Sequence, residues 1–236
     1  MKRALPRGEH ALHPLLLALL LLMLGVKPLV EMGWLPRFSL ALGLQAVILA
    51  GLFCLDSARN RRRHLVIAAL LTGAGLQGLA LGLPGGPPGL VAAGAAALSL
   101  AVLMVAILVQ VFAAGPVTMR RIEGAIAAYL LIGLIFACLF DLVQGLDPGA
   151  FQYNGPAPEA RQVVGHLFFS FVTLTTTGYG DVVPVHPVAR ALAILEALIG
   201  QLYLAILLAR LVSLEIAHRR DGAGESRRDG GKPDPK

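Results

Sequence analysis

Charge is scarce in this chain. Only 14% of its 236 residues are Asp, Glu, Lys or Arg, where soluble domains average about a quarter. Tryptophan occurs once and aromatic residues make up 6%. The two cysteines, Cys54 and Cys138, each lie inside an apolar run, so no disulfide framework is indicated and the redox compartment stays open. What fills the space is hydrophobic: 56% of the residues, with a mean hydropathy of +0.73. The apolar residues come in long blocks rather than amphipathic periods, which makes a bilayer the solvent and gives an all-α transmembrane fold.

The formal net charge of +6 raises the question of nucleic acid, and the placement of the charge answers it. Lys2, Arg3 and Arg7, then Arg59, Arg61, Arg62 and Arg63, then Arg120 and Arg121, then Arg210 and the basic residues to Lys236 fall at the N-terminus, in every second loop and in the C-terminal tail. Only Lys27, Arg37, Arg161 and Arg190 lie in the alternate loops. That asymmetry is the positive-inside pattern. It predicts both termini in the cytoplasm, a multi-pass protein of the plasma membrane with lipid as its surroundings, and no nucleic-acid partner.

In chain order, residues 1–14 form a polar basic tail. A leucine-dense run from Leu15 to Val26 also fits a signal-peptide core, but no small-residue cleavage site follows, and a first span is expected over 12–30 with Lys27 and Trp34 near the outer interface. Further spans are expected at Phe38–Leu55, Leu65–Leu83, Leu90–Ala114 and Ile122–Val143. An outer loop, Gln144–Arg161, follows, with three prolines and three glycines. A short helix, about Gln162–Leu174, is too brief to cross and reads as re-entrant. The last span is expected over Val188–Val212, with a disordered tail over 214–236. The domains so drawn are a four-helix bundle over 15–115 and a helix–loop–helix module over 116–213.

Between the re-entrant helix and the last span stands Thr175-Thr176-Thr177-Gly178-Tyr179-Gly180-Asp181. Two glycines flanking a tyrosine let the backbone alternate between left- and right-handed dihedrals, which residues with a Cβ resist. Such alternation turns successive carbonyls the same way, and rings of carbonyls replace the water shell of a dehydrated cation.

This run resembles the filter signature of tetrameric potassium channels, with Thr177 in the place where valine is commonest. The resemblance in the pore covers roughly Arg120 to Ser213; the first four helices resemble the six-span prokaryotic channels only in number and topology. It implies K+ ligation by Thr176 (carbonyl and hydroxyl), Thr177, Gly178 and Tyr179, with Gly180 at the outer turn and Asp181 behind the mouth. It implies a homotetramer, since one pore loop per chain requires four chains, and passive K+ flux with no enzyme activity and no cofactor. The alternatives are a non-selective cation channel, which Tyr179 argues against, and an accessory channel subunit, which the complete filter argues against.

Around the filter, Thr175, Phe168, Phe169 and Val172 are the expected supports. Phe168 and Phe169 stand where many relatives carry tryptophans, and phenylalanine offers no N–H donor. Val172 stands where some relatives carry a buried glutamate. The Thr177 hydroxyl is expected to bond locally behind the filter. In the last span, Gly200 has two readings, a bend for gating or close packing against the re-entrant helix. Gln201, with Leu204 and Leu208 below it, is expected to face the cavity. Glu196 is a carboxyl in a span, which costs ~2.5–3.5 kcal/mol on insertion scales, so it is expected to hydrogen-bond the re-entrant helix. Asp141, Gln45, Gln77 and Gln110 are expected in interhelical bonds. Leu90–Ala114 holds no Lys or Arg, so the bundle has a voltage sensor's layout without gating charges. The gating stimulus stays open, with pH through His166 or His186 among the candidates.

Overall fold

The computed structural model describes residues 12–36, 38–54, 71, 73, 75, 88–112, 118–154 and 166–229. Helices α1 (His13–Leu20) and α2 (Lys27–Glu31) are joined through a wide turn, Leu21–Val26, into one apolar stretch. The widening has a local cause. Pro28 has no N–H to offer a carbonyl four residues back, and the Lys27 N–H reaches Leu22 O, five residues back,.

Helix α3 is Phe38–Cys54, α4 is Pro88–Val111 and α5 is Met119–Leu146. Strand β1 (Phe151–Tyr153), the short helix α6 (Leu167–Leu174), strand β2 (Val182–Pro184) and the long helix α7 (Pro187–Asp229) follow. Four stretches among the described residues are long and apolar enough to cross a membrane: His13–Val30, Leu90–Val111, Met119–Leu146 and Pro187–Arg210. At 1.5 Å per residue, the eight residues of α6 rise only about 12 Å, too little to span. Most of the expected third span, Leu65–Leu83, lies outside the described residues. Its Gly73 packs on α4, where a Cβ would clash with Ser99 Oγ.

Two expectations are corrected. The last helix does not stop at Val212 before a disordered tail; it continues to Asp229. Leu214, Glu215, Ala217, Arg219, Arg220 and Ala223 all tolerate a helix well, and no proline occurs before Pro233,. Nor is the outer loop wholly irregular. Phe151 pairs with Pro184, Gln152 with Val183 and Tyr153 with Val182 in an antiparallel ribbon that ties the loop to the chain just after the filter run. Residues 155–165, including the expected start of the re-entrant helix, lie outside the described residues.

The core has two parts. Leu15, Leu19, Val47, Ile48, Leu100, Leu103, Ile107 and Leu131 join α1, α3, α4 and α5. Phe136, Phe140, Phe151, Phe169 and Leu174 join α5, β1 and α6. Helix α6 sits close on α5 because Gly133 leaves room for the Phe171 ring; a Cβ there would lie 2.5 Å from Phe171 Cζ. Helix α7 is tied to α5 by the Tyr203 hydroxyl donating to Ala125 O at 2.7 Å. Further along α7, Arg210 donates to Phe112 O at 2.6 Å and its guanidinium lies 4.9 Å over the Phe112 ring.

Candidate functional site

The run after α6 has left-handed backbone at every second residue: φ is +57° at Thr176, +59° at Gly178 and +76° at Gly180. For the two glycines this conformation is free of Cβ strain. For Thr176, a β-branched residue, it costs of order 1–3 kcal/mol, so the surroundings must hold it. They do so through the backbone. Thr175 N–H donates to Phe171 O at 3.0 Å, Thr176 N–H to Thr173 O at 2.9 Å and Thr177 N–H to Val172 O at 2.8 Å. The donors of the run therefore turn back onto the last turn of α6. Among the described residues, the carbonyls of Thr176, Thr177, Gly178 and Tyr179 accept no hydrogen bond.

Side chains brace the same turn. Thr175 Oγ1 donates to Phe171 O at 2.7 Å and lies 2.9 Å from Thr177 Oγ1. The Thr177 hydroxyl is thus engaged locally, on the α6 side of the run. Thr176 Oγ1 donates to Thr175 O at 2.7 Å. Phe168 and Phe169 separate, as adjacent helix residues must. The Phe168 ring stacks on Tyr179, with centroids 5.9 Å apart and planes 7° from parallel. Phe169 is buried instead against Phe140 at 4.9 Å and Phe151 at 5.6 Å. Val172 is buried, and its contribution is its carbonyl. Asp181 Oδ1 accepts from Val182 N–H at 3.0 Å, across the entry to β2.

Below the run, Gly200 of α7 touches the end of α6. A Cβ on Gly200 would lie 2.5 Å from Leu174 O, so the close-packing reading has a direct geometric basis. Glu196 is fully buried, and Ser170 Oγ of α6 hydrogen-bonds its Oε1. Ser170 Oγ also donates to Gly133 O at 2.6 Å. A hydroxyl carries one hydrogen. With that hydrogen on the Gly133 carbonyl, the contact with Glu196 needs the hydrogen of a neutral carboxylic acid. The buried Oε2, which has no partner among the described residues, fits a neutral group far better than a carboxylate,. Gln201, Leu204 and Leu208 share an exposed face of α7 within one chain.

Three groups complete the surroundings of the run, two of them, Ser170 and Asn154, not singled out in the sequence. Ser170 completes the Glu196 contact; a lone serine in the apolar run Leu167–Leu174 was the available signal. Asp141 makes the interhelical bond expected of it, from α5 to the head of α6: its Oδ1 accepts from His166 N–H at 3.0 Å and lies 2.8 Å from His166 Nδ1. The other ring nitrogen, Nε2, is 3.0 Å from the Tyr153 hydroxyl. With Nδ1–H on the carboxylate, Nε2 accepts from the phenol. Burial, with the Asp141 charge adding, pushes the Tyr153 phenol up to about 12, which keeps it a donor,. Asn154 is the third: its N–H donates to Asp181 O at 2.8 Å and its Nδ2 to Gly180 O at 3.1 Å. His186 has its backbone N–H on Ala150 O and accepts Val188 N–H on Nδ1, at the start of α7. No group of three or more metal-ligating side chains occurs among the described residues.

Part of this chain is similar to known proteins. Residues 124–216 match a family described as "Ion channel". The chain is 34% identical over 95 residues to the inward rectifier potassium channel Kirbac3.1 of Paramagnetospirillum magnetotacticum, covering 39% of this chain and 27% of that protein. It is 36% identical over 86 residues to two pore potassium channel c of Oryza sativa subsp. japonica, covering 36% of this chain and 17% of that protein. The chain thus spans about a quarter or less of the length of these curated relatives. No solved structure gives a significant match. The matched residues take in most of α5, then α6, the run after it and the membrane-crossing part of α7.

Proposed function

We propose, from the match of residues 124–216 to an ion-channel family, that the chain forms a potassium-selective pore of four identical subunits in the plasma membrane and passes K+ passively. The observation that carries the reading is the left-handed backbone at Thr176, Gly178 and Gly180, with the N–H groups of Thr175, Thr176 and Thr177 turned onto α6. It leaves the carbonyls of Thr176 to Tyr179 for a cation. Four such strands about one axis would give stacked rings of oxygens able to replace a hydration shell. One chain supplies one strand, so closure needs cyclic symmetry. Ile194, Leu198, Leu202 and Ile206 are exposed along α7, as a face covered by lipid or neighbouring subunits would be.

The carbonyl end of α6, at Leu174, carries about half a negative charge from the helix dipole. Four of these ends directed at one cavity would stabilise a cation in mid-membrane. Helix α4 adds no gating charge, because Leu90–Val111 contains no Lys or Arg, so the pore is voltage-insensitive or weakly voltage-dependent. The test is K+ efflux from liposomes holding the purified protein. Efflux should rise with protein and stop when Gly178→Ala or Gly180→Ala removes the free left-handed positions. Leak equal to that of empty liposomes would refute the reading.

A further inference from the structure

We infer that Asn154 is a positioning residue for the outer turn of the filter, holding it from the side through a clamp that starts at α5. The inference rests on the potassium-pore reading and adds to it how this filter is kept open. Two donors of Asn154 hold two successive carbonyls where the filter ends: its backbone N–H on Asp181 O at 2.8 Å and its Nδ2 on Gly180 O at 3.1 Å. The amide is oriented for this, because Asn154 Oδ1 accepts from Gln152 Nε2 at 3.2 Å, leaving Nδ2 for Gly180.

The residue itself is fixed by what precedes it. Tyr153 pairs with Val182 in the ribbon, and its hydroxyl meets His166 Nε2 at 3.0 Å. His166, buried at the head of α6, is held twice by Asp141 of α5. Phe151, two residues earlier, is buried between Phe140 and Phe169. A rigid line thus runs from α5 through β1 to the filter mouth. Support from within α6 is different in kind, since Phe168 offers Tyr179 a ring face and no donor,.

An outer turn whose Gly180 and Asp181 carbonyls are held laterally resists the peptide rotation that would carry the adjoining Tyr179 carbonyl off the pore axis. Bound K+ opposes the same turning, because ions bind the open filter and not the collapsed one. Loss of the Nδ2 donor should therefore be compensated by more K+. The experiment records currents from the purified full-length protein in bilayers while external K+ is stepped down. Wild type is compared with Asn154→Leu, Asn154→Ala and Asn154→Gln, which retains a donor; tetramer integrity is read on a gel. The Leu and Ala variants should stay tetrameric and lose current faster in low K+. One neutral bond predicts a shift of about twofold to tenfold per subunit in the open-to-collapsed ratio. The Gln variant should lie between them and wild type, and high external K+ should restore all three. A Leu or Ala variant that assembles and decays like wild type overturns the positioning role alone. A wild-type channel that passes Na+ as readily as K+ overturns the underlying pore reading instead.

Discussion

Replacing Ser170 by alanine removes the hydrogen-bond partner that Glu196 finds on α6. Glu196 is fully buried, and its second oxygen already lacks a partner among the described residues. Ser170→Ala would leave the acid with none there, and an unsatisfied buried polar group costs about 1–3 kcal/mol. Gly133 O would lose its side-chain donor as well. Glu196→Gln is the contrasting change: its amide N–H replaces the acid hydrogen on Ser170 Oγ, so the cost should be under ~0.5 kcal/mol. Removing both partners in Ser170→Ala/Glu196→Met trades a polar contact for apolar packing, which is nearly neutral when shape is kept. Thermal unfolding of the detergent-solubilised protein reads all three. The expected order is wild type, Glu196→Gln and the double variant close together, with Ser170→Ala clearly below. A Glu196→Gln protein as unstable as Ser170→Ala would refute the neutral-acid argument. With Glu196→Met alone added to close the cycle, a double variant equal to the sum of Ser170→Ala and Glu196→Met would show that the two residues do not act as a pair.

Gly200→Ala places a methyl 2.5 Å from a backbone oxygen, and overpacking of this kind costs about 1–3 kcal/mol; tetramer yield and melting temperature should both fall, whereas a pure hinge role would leave them unchanged. Thr177→Val removes the 2.9 Å hydroxyl contact with Thr175 but keeps the shape, so ion selectivity should persist while current in low K+ falls about twofold; loss of selectivity in reversal measurements would contradict this. Because α4 carries no basic residue, and each charge moved across the field is worth ~2.3 kcal/mol per 100 mV, open probability should vary little with voltage; a steep curve that survives filter mutations would count against that.

Four of the expected spans were legible because unbroken apolar length has few other meanings. The left-handed glycines were legible because only glycine takes that backbone freely. Thr176 was not, since a threonine at φ +57° is held by contacts that local sequence does not display. Phe168 and Phe169 could not be separated either: neighbours on a helix point about 100° apart, and which of them meets Tyr179 depends on how α6 is rotated on α5. The Ser170–Glu196 contact joins residues 26 apart, so each half looked like an isolated oddity. The β1–β2 ribbon has three residues per strand, too few for alternation to stand out, and Asn154 beside it read as loop chemistry. The inner end of α7 was misjudged because charge was given more weight than the helix propensity of Leu, Glu, Ala and Arg.

The central claim is tested most directly by the reversal potential of the purified protein in planar bilayers, with K+ on one side and Na+ on the other. A filter built on Thr176 to Gly180 predicts a reversal potential that tracks the K+ gradient and does not move when the Na+ concentration is changed. A reversal potential near zero, with the two ions carrying equal current, would contradict it.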